Sequence, residues 1–287
     1  MVRPLIIDYV LYNGEPIIEF RLEYLNSSVD YFVVIEAWYT HSGVKKPELF
    51  FLKNIDLFKK YQNKLIFKVI EKFPDRNDEE IKKMIDSDKL KELSDSWIRE
   101  TYNRNCIQEI LLDTFKQPFI VLVCDVDEIP KKELVLELHN HYDTLHEGKH
   151  IQMLLLNYGF RWKKNTMWFH PFVITDIGTK NLLFSKVRLT FVGSFFINSG
   201  WHVTYCFDIK NIIKKLESFA HTEFDKIEYK NKDYILTCML TGRSFLTLDK
   251  QDVLISTNEN ELPNGWKEFQ KKIDKIIFEQ EFPNIKE

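Results

Sequence analysis

Long apolar runs are missing from this chain: no window of its 287 residues approaches 18 uncharged apolar positions, and the early stretch Leu5 to Val10 is broken by Asp8. Nothing here reads as a spanning helix or a signal core, so a soluble, cytoplasmic protein is the expectation. Cysteine is scarce too, with Cys106, Cys124, Cys206 and Cys238 far apart in apolar or helical surroundings. Such spacing forms neither a disulfide frame nor a zinc ribbon and reads as buried, reduced thiols. No excess of one charge sign exists, since 40 basic residues face 43 acidic ones for a net charge of -3. A nucleic-acid surface is therefore not expected. Missing as well are the motifs Gly-x-Gly-x-x-Gly, Gly-Lys-Ser/Thr, Gly-x-Ser-x-Gly and His-Glu-x-x-His. Their absence weighs against dinucleotide enzymes, P-loop NTPases, serine hydrolases and zincins.

What is present is ample core material, 44% hydrophobic and 14% aromatic. After Glu15-Pro16, apolar residues 17, 18, 22 and 25 recur at helical spacing, and Asn26-Ser27-Ser28 closes that helix. Val29 to Glu36 and Leu65 to Ile70 read as strands, and Asp75 to about Leu93 as a charged helical region. The best helix runs from Asp95 to Leu112, with Trp97, Ile98, Tyr102, Ile107, Ile110 and Leu111 as its buried stripe. It feeds a further strand, Phe119 to Cys124. Strand, helix and strand alternate over the first half, which argues for an α/β domain with a mainly parallel sheet. Lys131 to His139 reads as a helix, followed by strand-like pieces at 151–158, 167–175, 187–192 and 201–206. Helices then run from Asp208, as N-cap, to Phe219 and from Asn231 to Thr241, where Gly242 is the stop. No repeat or Pro/Gly linker divides the chain, so one domain over 1–287 is expected.

Residues 119–130 read Phe-Ile-Val-Leu-Val-Cys-Asp-Val-Asp-Glu-Ile-Pro, an apolar strand driving into Asp125, Asp127 and Glu128. Buried parallel strands emerge at the carboxyl edge, where ligands bind. Two carboxylates one residue apart at that edge suit a divalent cation carrying phosphates. They equally suit the cap of a helix that starts at Pro130. Other candidates are Glu36 at the end of its strand, the polar loop 37–47 with Thr40, Gly43 and Lys46, and Arg104, whose fork fits a phosphate or a carboxylate. Ser199-Gly200-Trp201-His202 offers an imidazole to complete a metal shell, or a turn with core Trp and a hydrogen-bonded His. His221 and Glu223 follow a helix end, where they suit a metal or phosphate partner and a general base, or simply the helix dipole. The aromatic belts 157–162 and 168–171 suit sugar rings and packed cores alike.

In order along residues 15–245, Glu19-x-Arg21-Leu22-x-x-Leu25, Val29 to Glu36, Thr40-x-x-Gly43-x-x-Lys46-Pro47, Asp125-Val126-Asp127-Glu128-Ile129-Pro130, Ser199 to His202 and Ser218-Phe219-Ala220-His221-x-Glu223-Phe224 resemble the bisecting β-1,4-N-acetylglucosaminyltransferase family. The resemblance implies a GT-A glycosyltransferase fold, with a Rossmann-like, mainly parallel sheet flanked by helices and an elaborated acceptor-side second half. It implies a nucleotide-binding half over about 1–140, an acceptor- and metal-completing half over about 141–250 and a helical extension over 251–287. It implies inverting transfer of N-acetylglucosamine from a UDP-sugar donor to a glycan acceptor, with manganese or magnesium as cofactor. Asp125 and Asp127 match the family's Asp-x-Asp, with His202 and then His221 as the further metal ligand, and Glu36, Thr40, Lys46 and Arg104 near the nucleotide. Animal members carry an amino-terminal anchor and stem, and their lack here leads to the expectation of a bacterial or viral enzyme acting from the cytosolic side.

The expected mechanism joins an acceptor hydroxyl to the anomeric carbon while the metal assists the diphosphate to leave. Glu223 or Asp176 is the expected base, and the sequence leaves that choice open. Two rivals remain: a sugar-nucleotide nucleotidyltransferase and a non-catalytic glycan-binding protein of the same fold. The first should show a Gly-rich amino-terminal phosphate loop, and loop 37–47 has only Gly43.

Overall fold

The structure, a computed structural model, describes residues 2–85, 87–191, 194–247 and 253–281. Residues 1, 86, 192, 193, 248–252 and 282–287, which the expected boundaries include, lie outside the described residues. In chain order the strands are β1 (Leu5–Leu11), β2 (Tyr31–Ala37), β3 (Leu65–Ile70), β4 (Phe119–Val123), β5 (Glu128–Pro130), β6 (Lys149–His150), β7 (Met153–Asn157), β8 (Trp162–Trp168), β9 (Phe172–Thr175), β10 (Gly200–Thr204) and β11 (Ile255–Ser256). One sheet has the order β3-β2-β1-β4-β9-β6 and the other β11-β8-β7-β10-β5.

In the first sheet β3, β2, β1 and β4 run parallel, and β9 returns antiparallel to β4. The strand order reverses between β1 and β4, so the carboxyl edge at their junction is a topological switch point. Tyr9 is level with Val123 and Leu11 with Ile35, which brings the chain after β1, β2 and β4 to one edge. The continuous apolar run of β4 follows from burial on both faces. Ile120 and Leu122 enter one cluster with Met153, Leu156, Trp201 and Val203 of the second sheet, while Val121 and Val123 pack with Ile107, Leu111 and Phe184 on the other side.

Strand β1 is the element that apolar periodicity misses. Its centre, Ile6 to Val10, is buried throughout, and Asp8 within it is 1% exposed. Arg21 of the helix Ile17–Leu25 neutralises it, donating from Nε at 2.8 Å and Nη2 at 2.6 Å. An ion pair, not an apolar side chain, fills that core position.

Several elements differ from the sequence reading. Pro130 ends β5, which pairs antiparallel with β10, so the acidic residues before it form a strand-to-strand turn and not a helix cap. The following helix, Lys132–Glu137, passes into a 3-10 turn, Leu138–Thr144. Residues 187–191 belong to no strand. Phe184, Val187 and Arg188 are buried at i, i+3 and i+4, the period of the helix Phe184–Leu189. The 167–175 piece is divided between β8 and β9 at His170-Pro171, since the residue before a proline is restricted. The 95–112 helix is two, Asp95–Asn105 and Ile107–Thr114, meeting at Cys106. The helices Ile209–Ser218 and Lys232–Thr241 stand where their caps predict. Asp208 accepts from Asn211 N, and Gly242 stops the second in the left-handed conformation at φ 66°.

The carboxyl-terminal helix Trp266–Glu281 docks on both halves of the chain. Phe269 packs 5.5 Å from Phe20, and Gln270 accepts from Phe160 N at 2.7 Å. No helix of the described residues is long and apolar enough to cross a membrane.

Candidate active site

A cleft of about 470 Å³ opens at the switch point, within the range of small-molecule sites. Its walls come from the ends of β1 and β2, the helix Asp95–Asn105, the turn 125–127, the start of the second sheet and the segment after the helix Ile209–Ser218. Thr40, Lys46, Arg104, Asp125, Asp127, His202 and His221 all line it.

The turn that carries the carboxylates is tied at several points. Glu128 N donates to Asp125 O at 2.9 Å, and Asp125 N to Glu128 Oε2 at 2.6 Å. Arg21 Nη1 donates to Asp125 O at 3.1 Å and Glu128 O at 2.5 Å, and Val203 N to Asp127 O at 2.7 Å. Glu128, fully buried, accepts Arg188 on both oxygens and the Trp168 indole at 2.6 Å. It is a structural member of the turn.

Both cleft carboxylates face cations. Asp125 accepts Arg104 at 2.9 Å on one oxygen and Arg188 at 2.7 Å on the other, while Arg104 also reaches Glu100 at 3.2 Å. Asp127 accepts Lys215 Nζ at 3.0 Å, and its Oδ1 lies 3.5 Å from His202 Nε2. Burial would raise both carboxyls, but Arg104 and Arg188 beside Asp125, and Lys215 and His202 beside Asp127, outweigh it and hold both well below the usual range. His202 Nδ1 is buried without a partner. Among the described residues no three His, Cys, Asp or Glu side chains gather as a metal-ligand set.

The remaining candidates divide. Glu36 is 1% exposed and sits behind the cleft wall, where Lys46 Nζ, Phe50 N and Phe51 N occupy its oxygens at 2.9, 2.8 and 2.8 Å. It orders the loop after β2 and caps the helix Phe50–Lys53, away from any ligand in the cleft. Burial lowers the Lys46 ammonium even beside that carboxylate. Thr40 holds the loop hairpin through Ser42 Oγ at 2.9 Å and Val44 N at 3.0 Å. Gly43 adopts φ 94° there, with the Arg99 guanidinium close over it.

His221 pairs through Nδ1 with Glu223 at 2.7 Å and stands edge-on to Trp97 at 4.7 Å, so the two form a dyad at the rim, separate from the Asp127–His202 pair. Asp176 is not brought to the cleft. It accepts from Phe119 N at 3.3 Å and Tyr142 Oη at 2.5 Å, at the opposite end of β4 from Asp125, as the first residue of the helix Asp176–Asn181.

Arg188, Lys215 and Asn103 were not singled out by sequence. Lys215 had a signal: it lies three residues after Ile212 and four before Phe219, beside the apolar stripe of its helix. Arg188 had none, because its segment reads as a strand until the fold makes it a helix.

A switch-point cleft with two cation-held carboxylates marks an α/β protein with a small-molecule-sized site at the edge of its parallel sheet. The profile of glycosyltransferase family 17 matches residues 2–248, and the chain belongs to that family. It is a glycosyltransferase, with a sugar donor and an acceptor as its substrates. No curated protein matches the chain.

Proposed function

We propose that the protein is a metal-dependent, inverting transferase of GT-A type that moves N-acetylglucosamine from UDP-N-acetylglucosamine to a hydroxyl of a glycan. The observation that carries this reading is Asp127 facing both His202 and Lys215 beside the Arg-held Asp125. Asp127 Oδ1 and His202 Nε2, 3.5 Å apart, have the spacing of neighbouring ligands on one cation. A manganese or magnesium ion there would neutralise the departing diphosphate. Hard cations at phosphate sites take few protein ligands and fill the shell with phosphate oxygens and water, which suits a two-residue set.

The chain's own groups do the rest. Lys215 exchanges the Asp127 carboxylate for a phosphate oxygen. Arg104 and Arg188 keep Asp125 ionised, and its spare lone pairs take hydroxyls of the ribose or the sugar. Of the two expected bases, Glu223 stands beside the cleft through His221, and Asp176 is dropped. Burial raises the Glu223 carboxyl but the His221 contact outweighs it, so the group is ionised and able to accept the acceptor's proton at neutral pH.

The test is incubation with manganese and a panel of labelled UDP-sugars, with and without glycan acceptors. Slow release of UDP and free sugar without acceptor is expected, together with its loss in Asp127→Ala at unchanged circular dichroism. Full activity in that variant sinks the assignment. Pyrophosphate chemistry would instead mark a nucleotidyltransferase, and inertness a binding protein.

A further inference from the structure

Aromatic rings gather around the rim dyad. The Trp97 ring meets His221 edge-on at 4.7 Å, and the ring centres of Phe219 and Phe224 lie 5.5 and 6.1 Å from the same imidazole. All four rings line the cleft. Ser96 Oγ, buried, donates to Ala220 O at 3.2 Å and ties the helix Asp95–Asn105 to the segment after Ser218. The collar is therefore set before any ligand arrives. Within it His221 holds Glu223 at 2.7 Å, and the two side chains are 47% and 55% exposed, open to the cleft mouth.

The same helix supplies a carboxylate. Trp97, Glu100 and Arg104 follow one another at i, i+3 and i+7, so they share one face, and all three line the cleft. Arg104 is turned to Asp125 at 2.9 Å, which puts Glu100 between Asp125 and the collar. Glu100 Oε1 accepts from Arg104 Nη2 at 3.2 Å, the side chain is 21% exposed, and among the described residues nothing pairs with Oε2. A flat ring one helical turn from a carboxylate suits a pyranose, whose C–H face lies on the ring while a hydroxyl donates to the carboxylate. A base takes its proton from the acceptor, so the sugar that bears that hydroxyl must come within hydrogen-bond reach of Glu223. The collar is the wall it meets there.

We propose that Trp97 and Glu100 form the acceptor subsite, holding a pyranose that lays its C–H face on the collar and gives one hydroxyl to Glu100 Oε2 while another meets Glu223. The inference rests on the transferase reading above, with Glu223 as its base. It divides the cleft between two substrates: the donor belongs to Asp125, Asp127 and Lys215, and the acceptor to the outer turns of the helix Asp95–Asn105.

Release of UDP from UDP-N-acetylglucosamine by the manganese-loaded protein tests it, with methyl glycosides of glucose, galactose, mannose and N-acetylglucosamine as trial acceptors. At least one glycoside should raise the rate above acceptor-free hydrolysis and saturate. Trp97→Ala and Glu100→Gln should each raise the KM of that glycoside about tenfold or more at unchanged donor KM, the worth of one covered ring or one hydrogen bond to a carboxylate. Trp97→Phe, which keeps a ring, should restore most of the affinity. A glycoside KM that either substitution leaves unmoved overturns the subsite, as does a donor KM that rises in step. Glu100→Gln, whose amide oxygen can still accept from Arg104, decides alone if Trp97→Ala does not fold. A wild type that hydrolyses the donor but answers to no glycoside also overturns the subsite, and the donor reading stands. One that releases no UDP with or without a glycoside overturns that reading and this inference with it.

Discussion

Asp8 and Arg21 form a fully buried ion pair whose second task is to hold the acidic turn. The guanidinium reaches Asp8 with Nε and Nη2 and spends Nη1 on main-chain oxygens of Asp125 and Glu128. Removing one partner strands a charge where no water reaches. Arg21→Met or Asp8→Asn should therefore cost about 3–5 kcal/mol of stability, read as a lower urea midpoint at unchanged slope. A loss under about 1 kcal/mol would remove the pair from the core's account.

The acid limb of stability should belong to the turn. Burial works against the Asp125 carboxylate, but Arg104 and Arg188 outweigh it and set its pKa well below the ordinary range. An acid whose folded pKa is depressed contributes stability that is complete above its unfolded value, near pH 4, and lost as pH falls through the folded one. The melting-temperature gap between wild type and Asp125→Asn should thus stay level from about pH 8 to 5 and close below about pH 4. A gap that closes between pH 7 and 5 would assign it to another group.

Replacement of the rim carboxylate separates the two base candidates. Glu223→Gln should lower kcat by about 10²–10⁴ with little change in donor KM. Asp176→Ala should leave kcat alone and cost stability only, since it removes the oxygen that accepts from Tyr142 and from the first residue of β4. The opposite pattern would move the base to a place that the cleft does not reach.

The cysteines should be silent. All four are buried and free, and burial pushes the Cys106 thiol up to about 12 and raises the other three. A disulfide reagent at pH 8 should label none in the native protein and four in urea. Rapid native labelling of any one would contradict this burial.

Periodicity recovered the elements whose burial follows a simple rule. The helix Ile17–Leu25 and strand β3 stand at the residues where spacing put them, and β4 announces itself because both its faces are covered. Strand β1 hid because Asp8 looks like a break in an apolar run, and its partner lies on another element. The helix Phe184–Leu189 hid because so short an apolar piece fits either period. At the site, Asp125, Asp127 and His202 were legible from type and spacing. The cations that hold them were legible only in part: Arg104 was singled out with a fork that suits a carboxylate, whereas Arg188 and Lys215 arrive from other helices. Asp176 misled for the converse reason: a carboxylate after an apolar strand is a ligand-edge signal only if the strand runs the right way, and β9 runs antiparallel to β4.

The chain leaves the first sheet at Val123 and enters the second at Glu128, and the cleft carboxylates occupy the span between. That span is a seam. The two sheets have no freedom to swing apart like jaws without tearing the turn that Arg21, Arg188 and Trp168 rivet, so traffic into the cleft must pass the rim segments, 39–46 and 219–224. Whatever settles on the seam also tightens the joint, and occupancy should be measurable as resistance to heat before any sugar has moved.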